Sequence, residues 1–75
     1  MAPEKLREED IAIGQRIKNR RIEIGMTQEE LAQRVGYAHK SSINKIELGE
    51  RSLMQSKIKP IADALGVSPG HIMGW

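Results

Sequence analysis

Lys40, Ser41, Asn44 and Lys45 bring two ammonium groups, a hydroxyl and an amide into one short stretch of chain. Such side chains can hydrogen-bond to the edges of nucleic-acid bases: lysine donates to guanine O6 and N7, asparagine pairs bidentately with adenine, and serine contacts almost any base. Other chemistries are poorly supplied. The two histidines, His39 and His71, sit near no matching acid in a catalytic pattern and lack metal-ligand spacing, so neither catalysis, a metal nor another cofactor is expected.

Those four residues read only if an element turns them outward. A helix over about Lys40 to Leu48, closed by Gly49, does so. At about 100° per residue, Ile43 and Ile46 define its apolar direction, and Ser41, Asn44, Lys45 and Leu48 all fall roughly 130° or more away from it. Before it, Asp10 to Ile24 reads as an amphipathic helix with Ile13, Ile17 and Ile24 within ~40° of one another, stopped by Gly25. Thr27-Gln28-Glu29-Glu30 has the form of a capping box and opens a second helix, with Leu31, Ala32 and Val35 on one face and Gly36 as its stop. A fourth helix carries Ile58, Ile61, Ala62 and Leu65 to Gly66. Pro60 means that it begins near Ser56, or begins earlier and is interrupted. Ser68-Pro69 pairs a cap with proline at the first helical position, opening a short fifth helix through Ile72 and Met73.

The pattern is all-α, with residues 1–10 a frayed arm and 11–75 one small domain. A 75-residue chain with 39% hydrophobic residues, two aromatics and no cysteine has a thin aliphatic core that no disulfide reinforces, which argues against a large catalytic cleft. The apolar runs are far shorter than the ~20 residues that span a bilayer, and no secretory signal opens the chain, so a cytoplasmic location is expected. The net charge is +2, unevenly placed. From Ile11 onward ten Lys or Arg face six Asp or Glu, a local excess of four positive charges suited to phosphate. Composition alone equally suits solvated helix surfaces, and two short helices joined by a tight link equally suit a plain helical bundle.

The residue strings are more specific. Arg16-Ile17-Lys18-Asn19-Arg20-Arg21, Gly25-Met26-Thr27-Gln28-Glu29-Glu30-Leu31-Ala32, Val35-Gly36, Ile43-Asn44-Lys45-Ile46-Glu47, Gly49 and Ala64-Leu65-Gly66-Val67-Ser68 together resemble the lambda-repressor-like helix-turn-helix family, often called the XRE family, over roughly Ile13 to Trp75. The resemblance implies a compact five-helix domain whose second and third helices form the helix-turn-helix. It further implies that the third helix enters the major groove of a near-palindromic operator, that the protein is a homodimer on double-stranded DNA, and that it regulates or represses transcription. The link between Gly36 and Ile43 and the stretch before the fourth helix are each one residue longer than in the shortest members. The tail Ser68 to Trp75 is similar to the end of phage-repressor DNA-binding domains of Gram-positive hosts, in which a C-terminal dimerisation and self-cleavage domain often follows. An antitoxin with a toxin protein as its partner is the alternative that the same fold allows.

Roles follow residue by residue. Lys40, Ser41, Asn44 and Lys45 are the expected base readers, with phosphate contact open for Lys40 and helix capping open for Ser41. The resemblance places Gln28 on a DNA phosphate. Lys18, Arg16 and Arg51, with Lys57, are further phosphate candidates against plain solvation. Arg21 and Glu47 each flank their helix's apolar stripe, and the family pairs these positions in a structural salt bridge. Leu48 has a sugar, a thymine methyl or a partner subunit to touch. Trp75, with Leu53, Met54, Ile72 and Met73, is expected first in the core and otherwise in a dimer patch or against a further domain.

Overall fold

Aliphatic residues at helical spacing, punctuated by polar caps and glycine stops, fold residues 6–75, the part of the chain described by the computed structural model, into five α-helices. These are α1 (Glu8–Glu23), α2 (Gln28–Val35), α3 (Lys40–Glu47), α4 (Gln55–Leu65) and α5 (Pro69–Met73). Two of the five are only eight residues long and one only five, too short to hold in water without tertiary contacts. Each therefore buries a stripe. Ile17, Leu31, Ile43, Ile46, Ile61, Leu65 and Ile72 are fully buried and draw on all five helices, each contributing ~1.5–3 kcal/mol by leaving water. Helix α3 packs on α1 and α2, α2 on α4, and α1 and α4 on α5.

Several boundaries differ from the periodicity. Of the arm expected over residues 1–10, residues 1–5 lie outside the described residues, while Glu8, Glu9 and Asp10 form the first turn of α1, where their negative charge faces the positive end of the helix dipole. Helix α1 ends at Glu23, so Ile24 leaves the apolar stripe and is 39% exposed, and Met26 enters the core in its place. Helix α4 begins at Gln55, next to the Ser56 start that the sequence offers, after an extended Met54, with Pro60 in its interior; the proline has no N–H for the carbonyl four residues back. Ile58 is consequently half-buried instead of core. Trp75 is 85% exposed. The chain turns at Gly74 after α5, Trp75 N donates to Gly70 O at 2.9 Å, and the indole projects away from the core in which it was expected.

The crossing of α1 over α3 sets the position of α3, and two glycines make it. A Cβ on Gly14 would fall on the carbonyl oxygens of Ile46 and Glu47, 2.6 Å from the latter. Gly49, at φ +79°, lies so close to α1 that a Cβ would stand 2.9 Å from Ile11 Cα. Backbone meets backbone here, so neither site can yield by moving a side chain. Gly14→Ala is expected to destabilise the domain by about 1–3 kcal/mol or more, the range for overpacking, despite alanine's higher helix propensity. Urea unfolding of this variant beside Gln15→Ala, which changes an exposed neighbour, checks it; equal stability of the two would contradict so close a crossing.

Candidate nucleic-acid interface

Helix α2 starts with the capping box that its sequence spells: Thr27 Oγ1 accepts from Glu30 N and Glu30 Oε1 accepts from Thr27 N, both at 3.0 Å. The bonds from Thr27 hold the Glu30 carboxyl below its usual pKa, with Arg34 adding a smaller pull in the same direction. Gln28 occupies the first helical position, where backbone N–H groups have no partner within the helix.

Helix α3 lies beside that end with its two faces separated. Ile43, Ile46 and Glu47 are buried, whereas Lys40, Ser41, Asn44 and Lys45 are exposed: Ser41, Asn44 and Lys45 share the outward face, and Lys40 stands at the N-terminal end of the helix. His39 is the N-cap residue. Ser41 therefore lies within the helix at its second position, and the capping role left open for it does not apply. Lys40 lines a shallow depression together with Thr27, Gln28 and Glu29.

Arg21 and Glu47 form the expected ion pair, and it is bidentate: Arg21 Nε donates to Glu47 Oε2 at 2.6 Å and Nη2 donates to Oε1 at 3.0 Å. The two side chains are 10% and 1% exposed. Arg21 Nη1 also donates to Met26 O at 2.8 Å, tying in the turn between α1 and α2. Gln28 extends this array. Its Nε2 donates to Glu47 Oε1 at 2.9 Å and to Asn44 Oδ1 at 3.1 Å, so both amide hydrogens have partners within the protein.

The other cations divide. Arg16 sits roughly 160° around α1 from Gly14, the residue that meets α3, and its Nη1 donates to Ile72 O at 3.1 Å near the end of α5. Arg20 does the same for α4, Nε donating to Leu65 O at 2.9 Å. Lys57 Nζ donates to Val35 O at the end of α2, at 2.7 Å. These are the positions at which a positive charge meets unpaired helix carbonyls. Arg51 Nη1 donates to Ser42 Oγ at 3.1 Å and its guanidinium lies 5.3 Å from the centre of the Tyr37 ring, with Lys57 Nζ at 5.0 Å from the same ring. The Tyr37 hydroxyl is buried without a partner among the described residues. Lys18 stands exposed, roughly 40° around α1 from Gly14 and so on the flank beside α3. The roles of Ser42, Tyr37, Arg20 and Gly14 carry no signature in residue spacing, because each depends on a contact between elements.

Residues 17–72 match a family model described as helix-turn-helix. A curated relative from Rhodospirillum rubrum, described as an uncharacterized transcriptional regulator in the ATPase CF(0) region, is 38% identical over 58 residues, which cover 77% of this chain and 53% of the relative. The chain thus spans about half the length of that relative. Among solved structures, the restriction-modification controller protein C.AhdI from Aeromonas hydrophila superposes with a TM-score of 0.82 at 29% identity, covering 88% of this chain and 98% of that one. The hypothetical transcription factor NHTF from Neisseria superposes with a TM-score of 0.78 at 25% identity, covering 97% of this chain and 86% of that one.

Removing one partner of the buried pair leaves the other charge stranded. Glu47→Ala is expected to cost about 3–5 kcal/mol in urea unfolding. The double change Arg21→Met with Glu47→Leu should cost clearly less, since it strands no charge; a single-variant loss no larger than that of the double variant would show that water reaches the pair.

Proposed function

The chain belongs to the helix-turn-helix family, and we propose that it is a sequence-specific double-stranded DNA-binding protein that regulates transcription, with α3 in the major groove and α2 across the backbone. The observation that carries this reading is the division of α3: Ile43, Ile46 and Glu47 anchor it, Ser41, Asn44 and Lys45 are exposed on its other face, and Lys40 is exposed at its N-terminal end. A binding protein, not an enzyme, is what such a face suits. The regulator and controller names of the relatives support the same reading.

Within it, Ser41, Asn44 and Lys45 read bases. Lys40, beside the start of α2, joins the first backbone N–H groups of that helix on a phosphate. Lys18 adds a second phosphate contact from α1. Arg51 reaches the backbone only from the position in which Ser42 and Tyr37 hold it, and Arg16, turned toward α5, takes no part. A homodimer on a near-palindromic operator follows from arithmetic: three short side chains discriminate few base pairs, and a second copy doubles them. The tail at Ser68 to Trp75 supports a phage-type repressor as the narrower form of this reading, and DNA in the cytoplasm is its place of action. No helix among the described residues is long and apolar enough to cross a membrane. No observation favours a toxin partner.

Selection from a random duplex pool with the purified chain tests the proposal, the expected product being an inverted repeat with half-sites about one helical turn apart. On the selected duplex, Lys45→Ala should lower discrimination at one base pair by ~1–3 kcal/mol, whereas Lys18→Ala should weaken all sequences alike and reduce the salt slope by about 1. A folded chain that enriches no sequence would contradict the proposal.

A further inference from the structure

The hydrogen-bond array beneath α3 has a direction, and the direction reaches the DNA-facing surface. An arginine side chain only donates and an ionised carboxylate only accepts. Arg21 therefore fixes Glu47 as the acceptor of the buried pair, with Glu47 Oε1 taking one bond from Arg21 Nη2 and another from Gln28 Nε2. Gln28 cannot turn its amide over, because its carbonyl oxygen would then face a carboxylate oxygen. With Nε2 held there, its second hydrogen meets Asn44 at 3.1 Å, and Asn44 must present Oδ1 to it. The Asn44 amide is thereby left with Nδ2, a group that only donates, as its free outward end on an exposed face of the helix.

We propose that Gln28 is a positioning residue that sets the base preference of Asn44, turning it from the usual asparagine choice of adenine to guanine. An asparagine reads adenine with both ends of its amide, accepting from N6 and donating to N7; guanine presents two acceptors, O6 and N7, to the major groove. An amide whose oxygen is turned toward Gln28 presents its two N–H donors outward, which matches guanine and leaves the adenine N6 donor opposite another donor. The inference rests on the DNA-reading role of α3 proposed above. It adds that the donor sense of the readout is inherited from a buried ion pair through one glutamine.

The test measures affinities for operator duplexes that differ only at one base pair, using wild-type chain and Asn44→Ala, Gln28→Ala and Gln28→Glu variants whose folding is checked by circular dichroism. Asn44→Ala locates the base pair at which discrimination disappears. Wild-type chain is expected to prefer guanine there. Gln28→Ala frees the Asn44 amide to turn over, and the guanine-to-adenine affinity ratio should fall about tenfold at that base pair and nowhere else. Gln28→Glu, of the same shape but able only to accept, should draw Nδ2 inward and reverse the preference toward adenine. Should the carboxylate beside Glu47 unfold that variant, Gln28→Ala alone decides, with the side-chain amide resonances of Asn44 shifting in the free protein as the second readout. A wild-type preference for adenine, or a ratio that Gln28→Ala leaves unchanged, overturns the inference while the DNA-binding reading stands. Failure of the folded wild-type chain to select any duplex overturns both.

Discussion

The buried Arg21–Glu47 pair is the constraint around which the domain is arranged. Two charges removed from water are costly, and their attraction offsets that cost only if the geometry is good and the remaining hydrogen-bonding atoms are satisfied. Here they are. The fork is bidentate, the spare guanidinium nitrogen meets Met26 O, and the carboxylate takes a further bond from Gln28. Each of those bonds fixes a different element: α1 through Arg21, the turn before α2 through Met26, α2 through Gln28 and α3 through Glu47. The pair can close only because Gly14 lets α1 approach the backbone of Ile46 and Glu47. Replacing the pair with apolar residues of similar volume can preserve stability in other proteins; what such a replacement cannot supply is a direction for the hydrogen bonds that lead from it to the surface of α3.

Much of the architecture was legible because it is local. The Thr27–Glu30 capping box, the glycine stops and the stripe of Ile43 and Ile46 all act within a few residues, and they place α2 and α3 where they are found. The outward set of Ser41, Asn44 and Lys45 follows from angle alone. What sequence did not reveal is relational. Gly14 reads as a weak residue in a helix until α3 is seen against it. Ile24 continues a pattern that the helix itself does not continue. Trp75 is the largest apolar residue in the chain, yet it is carried outward by a turn at Gly74. The carboxylate that Gln28 faces lies 19 residues away, and nothing in the neighbourhood of Gln28 announces it.

The same distinction corrects the reading of charge. Counted along the chain from Ile11, the positive excess is a pool of phosphate ligands. In the structure Arg16, Arg20 and Lys57 instead hold the last carbonyls of α5, α4 and α2, and Arg51 is held between Ser42 and Tyr37. Lys18, Lys40 and Lys45 are exposed, and among the described residues they enter no salt bridge. They stand on α3 and on the flank of α1 beside it. Arg34, exposed in the last turn of α2, is uncommitted as well; the three lysines on α3 and α1 mark the surface on which DNA is proposed to lie.

The most direct test of that placement is to map backbone and side-chain amide shifts of isotope-labelled chain on titration with its selected duplex, and to subtract those caused by a scrambled duplex of equal length. Sequence-dependent differences are expected to concentrate at Ser41 to Lys45 and at the side-chain amide of Asn44, with both duplexes perturbing the start of α2, Lys40 and Lys18. Differences concentrated on α4 and α5, with α3 unaffected, would contradict it.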